Sequence, residues 1–150
     1  MKNIILSVPI RSTIDRFIQS ITTQGGLAAW LTPDVEAEPK VGSIVKLGFD
    51  AGISLTFRLD RLDSSGHVEW VLVEGPEEWK TSRVVFDAKA IDGGMINYTF
   101  THTNLPEESG MTTFMGYGWA QHARSLKLLL ETGTGEPHGS AGSRGWHPLG

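Results

Sequence analysis

With 150 residues, no cysteine and a formal net charge of −4, the chain is one domain's worth of sequence, long enough to bury roughly two-thirds of its unfolded surface around a single core. The lack of cysteine excludes disulfide frameworks, thiolate zinc sites and cysteine nucleophiles. Acids and bases are interspersed, so no electrostatic footprint for nucleic acid is present, and no run approaches the roughly 18 apolar residues of a membrane span.

The N-terminal stretch MKNIILSVPIRSTID carries one Lys and an apolar run that alternates and breaks at Pro9, which suits a strand rather than a secretory leader. A cytoplasmic location is therefore the expectation. Lys2 to Val8 reads as the first strand, stopped by a proline that cannot donate a ladder hydrogen bond. Ser12 or Thr13 can then cap a short helix with Asp15 in its first turn and Ile14, Phe17, Ile18 and Ile21 at helical spacing. Gly25-Gly26 is expected to break it, and a second short helix, GLAAWL, ends before Pro33 and leaves Trp30 plugging one side of the core.

From Val41 to Thr103 the hydrophobic period changes to two. The segments are Ser43 to Phe49, Ile53 to Leu62, His67 to Val73, Thr81 to Ala90 and Met95 to His102, a meander of antiparallel strands. The connections DSSG and IDGG supply the turn residues that hairpins require. Three inward faces are clear: Val68/Trp70/Leu72, Val84/Phe86/Ala88 and Ile96/Tyr98/Phe100/His102. Their neighbours are mostly polar, so one face of the sheet is buried and the other wet.

The stretch FMGYGWAQHARSLKLLLETG reads from Trp119 onward as an amphipathic helix. Trp119, His122, Ala123, Leu126, Leu129 and Leu130 share one arc, opposite Gln121, Arg124, Lys127 and Glu131. Each large apolar side chain buried on that arc contributes about 1.5 to 3 kcal/mol, which docks the helix on the apolar face of the sheet. Gly133 is the expected stop. The domain is thus placed at residues 1–137, with 138–150 a glycine-rich C-terminal tail of poor intrinsic order anchored, if at all, by Trp146.

The order of these elements and five motifs resemble the SRPBCC, or START-like, superfamily of Bet v allergen-like domains. Within it the chain is similar to the domain of activators of heat shock protein 90 ATPase. The motifs are ITTQGGLAAWLTP, GSIVKLGF, HVEWVLVEGPEEWKTSRVVFDAKA, INYTFTHTNLP and GYGWAQHARSLKLLLETGTGEP. The resemblance covers nearly all of Met1 to Pro137. It implies an α+β helix-grip fold, a curved antiparallel sheet wrapped around a long C-terminal helix, with two short helices after strand one. It also implies a hydrophobic cavity between helix and sheet, used in the wider superfamily for lipids, sterols, flavonoids or polyketides. Some superfamily members are cyclases or hydrolases.

The expected lining of that cavity is Trp70, Phe86, Tyr98, Phe100, His102, Met115, Trp119, His122 and Leu126. A neutral imidazole at His102 or His122 can hydrogen-bond a ligand carbonyl or phenol or shuttle a proton, and the Tyr98 hydroxyl can anchor a guest. Against this, each is equally a core residue satisfied by backbone or water, and an aromatic face is explained by packing alone. Other constellations carry no chemistry. PEEW (Pro76 to Trp79) is a solvated turn, and HVE has no partner histidine at helical spacing. The five histidines show no zinc pattern. Asn97-Tyr98-Thr99 is a glycosylation sequon in a core strand, and Gly116 and Gly118 lack the preceding strand a phosphate loop requires. No metal or cofactor is expected.

Three functions follow. The leading one is a small hydrophobic ligand-binding protein, its partner a lipid, flavonoid or polyketide-like molecule. The second is a cyclase- or hydrolase-type enzyme using His102 or His122 as general base near Tyr98. The third, from the resemblance, is a protein-interaction module of the chaperone-regulator kind. A homodimer is a further expectation, with Trp146 docking on a neighbouring copy.

Overall fold

The computed structural model describes residues 2–49, 52–106 and 110–144. Trp146 and His147 lie outside the described residues. In chain order the elements are β1 (Lys2–Arg11), α1 (Ile14–Thr22), α2 (Gln24–Trp30), β2 (Val35–Glu36), β3 (Ile44–Gly48), β4 (Ser54–Asp63), β5 (His67–Glu74), β6 (Arg83–Ile91), β7 (Met95–Leu105), α3 (Gly110–Thr132) and α4 (Ala141–Arg144), with a 3-10 turn at Glu77–Trp79. One antiparallel seven-stranded sheet runs in the order β1-β7-β6-β5-β4-β3-β2. It curves around α3, the helix-grip arrangement the sequence implied.

The meander forms because alternation and turns agree. In β6 and β7 the register sets Val84 opposite His102, Phe86 opposite Phe100 and Ala88 opposite Tyr98, so a small residue faces each of the two largest polar-tipped ones. The room beside Ala88 is taken by Phe17 of α1, whose ring centroid lies 5.3 Å from that of Tyr98.

Two boundaries differ from expectation, the end of β1 and the break between α1 and α2, each for a physical reason. β1 runs through Pro9 to Arg11, because the strand is at the sheet edge and the missing N–H faces away from β7. The Pro9 carbonyl accepts from Lys127 Nζ at 2.8 Å instead. Of the two expected caps for α1 it is Thr13 that serves, accepting from Arg16 N at 3.2 Å. The break between the short helices falls at Thr23, which ends α1 and caps α2 by accepting from Gly26 N at 3.0 Å. Gly25 and Gly26 sit inside α2, and a Cβ on Gly26 would meet Gln19 O at 2.6 Å, so that glycine permits close helix packing instead of ending a helix.

α3 begins at Gly110, ahead of Trp119. Gly116 and Gly118 each cost about 1 kcal/mol in a helix interior, which burial of Trp119 and partial burial of Met115 against the core outweigh. Gln121, expected to face water, is buried along with Ser125. The chain beyond α3, expected to be poorly ordered, folds back over that face. Glu136 N donates to Ser125 Oγ at 2.8 Å, Ser125 Oγ to Trp30 O at 2.8 Å, and His138 N to Leu31 O at 2.9 Å. Here again a glycine marks close approach: a Cβ on Gly135 would lie 2.5 Å from Ala29 O.

Candidate functional site

Of the nine side chains expected to line a cavity, most are spent on one another. Ring centroids run from Phe57 to Trp70 (5.3 Å), Trp70 to Phe86 (4.6 Å), Phe86 to Phe100 (5.6 Å) and Phe100 to Trp119 (4.5 Å), in tilted or edge-to-face contacts. These are the preferred offsets of aromatic pairs. Leu126 is fully buried in the same cluster, and Met115 packs against its margin.

His102 is fully buried in this cluster and both ring nitrogens are engaged. Trp119 Nε1–H donates to Nδ1 at 3.2 Å, and Nε2 lies 2.9 Å from Ser82 Oγ. An indole can only donate, so Nδ1 must accept and the proton is assigned to Nε2. Burial pushes the imidazole pKa down to about 4. A neutral ring with a fixed tautomer and no open lone pair positions Trp119. As a general base it would first have to give up that bond. Tyr98 stands on the same face of β7 four residues away, about 13 Å along the strand, so the two do not form an acid–base pair.

Sequence reasoning missed two members of this cluster. Trp79, in the PEEW stretch read as a solvated turn, is buried with its ring edge-on to His102 at 5.3 Å. Ser82 is fully buried. The available signal was the tryptophan itself, since a ring that size on a turn seeks cover. The indole nitrogens of Trp70 and Trp79 have no hydrogen-bond partner among the described residues.

His122 is buried between Trp119 (5.8 Å) and Phe49 (6.0 Å). The edge of His138 packs on the other side of Phe49 at 5.3 Å. Burial, with a contribution from His138, pushes its pKa down to about 3. Its Nδ1 has no partner among the described residues.

One space open to a guest is on the other flank of α3. Leu6, Ser7 and Val8 of β1, Tyr98 of β7, and Ala120, Ala123, Arg124 and Lys127 of α3 line an open groove of about 340 Å³. From the nine expected residues this opening takes Tyr98. It exists because α3 presents alanines where it faces β1, while Lys127 ties the two elements by its bond to the Pro9 carbonyl. Lys127 also bonds Glu131 at 2.7 Å, and Arg124 pairs with Glu136. Tyr98 is only 2% exposed. Burial raises its phenol well above the usual range, and no protein hydrogen bond to its hydroxyl is present among the described residues. Its neutral O–H is a donor on a wall that is mainly apolar but also carries Ser7, Arg124 and Lys127.

A second polar cluster lies on the outer face of the sheet. His67 Nδ1 is 3.0 Å from Asp87 and Nε2 is 2.7 Å from Glu69, which also bonds Arg83 at 3.0 Å. Burial opposes protonation of His67, but the two carboxylate hydrogen bonds outweigh it and the pKa is raised. Opposite ring nitrogens point at the two carboxylates, so this is an imidazolium clasp between β5 and β6. Among the described residues no group of three metal-ligating side chains converges, and no helix is long and apolar enough to cross a membrane.

The family model described as "Activator of Hsp90 ATPase homolog 1-like protein" matches residues 13–131. No curated protein sequence matches the chain. Among solved structures, the chain is similar to the Aha1 dimer from Colwellia psychrerythraea at 29% identity and a TM-score of 0.83, covering 90% of this chain and 100% of that one. A Mesorhizobium loti protein (16% identity, TM-score 0.75, 86% and 96% covered) and an HSP90 activator from Plasmodium falciparum (15% identity, TM-score 0.73, 87% and 96% covered) share the fold.

Proposed function

We propose that this chain, which belongs to the activator of Hsp90 ATPase homolog 1-like family, binds a small and largely apolar molecule carrying one hydrogen-bonding oxygen in the opening between β1 and α3. The observation behind this reading is an opening of about 340 Å³ with the Tyr98 ring in its wall, the hydroxyl making no hydrogen bond among the described residues. That volume falls in the range of roughly 300 to 1,000 Å³ typical of small-molecule sites. A guest acceptor would take up that hydroxyl's hydrogen bond, a net contribution of about 0.5 to 1.5 kcal/mol.

In this reading Tyr98 anchors the guest while Leu6, Val8, Ala120 and Ala123 supply apolar contact. Trp70, Phe86, Phe100, Trp119 and Leu126 back the wall as a packed floor, and His102 and His122 are structural. Affinity comes mainly from buried apolar area, so specificity is loose across lipids, flavonoids and polyketide-like phenols. The test is calorimetric titration of such a panel against the wild-type chain, Tyr98→Phe and an opening filled by Ala123→Trp. Binding to the wild type that is weakened by Tyr98→Phe and abolished by Ala123→Trp supports the reading. A panel with no binder, or binding indifferent to Ala123→Trp, removes it.

A second reading, regulation of an Hsp90-type chaperone with self-association, is favoured by one observation: the 29% identical structure is an Aha1 dimer matched over its whole length. Its test is stimulation of chaperone ATPase by the purified chain. No change in turnover at saturating chain would discard it.

A further inference from the structure

We propose that the N-terminal half of the β1 edge is a pairing surface for the same strand of a second copy, joined antiparallel about a two-fold axis centred on Ile5. The inference stands on edge geometry, and Ser7 is the residue it shares with the opening beside it. β1 is an outer strand of the sheet, and the two halves of its free edge are treated differently. In the C-terminal half the outward groups are occupied: the Pro9 carbonyl by Lys127 Nζ at 2.8 Å, and Arg11 N by Glu131 Oε2 at 3.0 Å. Pro9 itself removes a donor. Proline, lysine and side-chain capping are how a sheet edge is ordinarily protected from other strands.

The N-terminal half carries Lys2 at its start but no proline and, among the described residues, no side-chain cap on its outward groups. Backbone direction alternates along a strand, so the groups of Ile5 and Ser7 face the same way as those of Pro9 and Arg11. Among the described residues they make no hydrogen bond across that edge. Ile5 is 63% exposed on the outer face of the sheet. Its neighbours there, Ser7 and, on β7, Thr99 and Thr101, are uncharged.

The occupant is argued from self-complementarity. An antiparallel pair centred on Ile5 sets Ile5 against its own copy and Ser7 against Asn3, so N–H meets C=O on both sides. No like charges are opposed, and two exposed isoleucine side chains are buried on each other. Pro9 and the Lys127 tether mark where the pairing ends. A two-fold arrangement of this kind closes on itself and stops at a dimer.

The experiment uses the full chain. Light scattering over a concentration series is read together with amide hydrogen exchange at Ile5 and Ser7. A dimer whose Ile5 and Ser7 amides slow as concentration rises is expected. Ser7→Pro removes an outward N–H, along with the Ser7 Oγ–Thr99 Oγ1 bond of 3.3 Å, and should weaken dimerisation by about tenfold or more, and Ile5→Lys should do the same through like-charge opposition. A chain monomeric across the series overturns the proposal, as does a dimer with those amides unprotected or one indifferent to Ile5→Lys. Should Ser7→Pro fail to fold, amide exchange and Ile5→Lys decide alone.

Discussion

His102 and Tyr98 project from the same face of β7 and are both almost completely buried, yet they sit at opposite ends of a contrast. At the His102 end every polar atom of the ring is matched: an indole donates to one nitrogen and Ser82 lies on the other. At the Tyr98 end the hydroxyl has no protein partner and the wall beside it opens. Burial alone does not distinguish a structural polar group from a binding group. Nor does partner accounting alone, since Trp70 Nε1, Trp79 Nε1 and His122 Nδ1 are buried without a partner among the described residues and do not line the β1–α3 opening; what sets Tyr98 apart is the opening beside it.

The largest effect that would test this contrast is at Trp119. Trp119→Ala removes a ring 97% buried by its 3% exposure and leaves His102 Nδ1 without its donor. A loss of about 3 to 5 kcal/mol in urea unfolding is expected; a loss below 1 kcal/mol would mean that the interior is not packed as described.

Acid gives the next effect. The folded-state pKa values of His102, about 4, and His122, about 3, lie below the unfolded value of 6.5. The unfolded chain therefore takes up protons first. Stability is intact above pH 6.5 and falls as pH drops through about 4, by roughly 3 kcal/mol for His102. In His122→Phe the slope of urea-derived stability over that window should be shallower than in the wild type, and an unchanged slope would contradict burial of a neutral His122.

Tyr98→Phe sharpens the contrast from the other side. Removing an unpartnered hydroxyl leaves stability unchanged or raises it by up to about 1 kcal/mol, whereas a melting temperature several degrees lower would reveal a partner. The smallest effect is at His67 on the outer face. Its raised pKa makes its clasp complete below pH 6.5 and lost as pH rises through the folded value. Being partly exposed, the clasp contributes under about 1 kcal/mol. The urea midpoints of wild type and His67→Gln should differ at pH 6 and converge at pH 9.

Much of this was legible in the sequence because alternation is a local property. The inward faces of β6 and β7 and the Trp119–Leu130 arc follow from period alone, and the five motifs carried the family. What period cannot carry is distance between elements. Glycines read as breaks or looseness, Gly26 and Gly135, are where two backbones come close. Pro9 read as a strand end because nothing local says that a strand is at an edge. Of the residues around the proposed opening, Tyr98 is among those the sequence singles out, but Leu6, Val8, Ala120 and Ala123 are ordinary residues whose opening depends on how far α3 stands from β1. Partnering of His102 by Ser82 is likewise a tertiary fact.

Amide chemical shifts of the labelled chain, followed during titration with 1-anilinonaphthalene-8-sulfonate as an apolar aromatic probe, test the central claim most directly. Perturbations concentrated on Leu6 to Val8, Tyr98 and Ala120 to Lys127 are predicted. Perturbations centred on Trp70, Phe86 and Phe100 with those segments silent would place the guest inside the aromatic cluster and contradict the account.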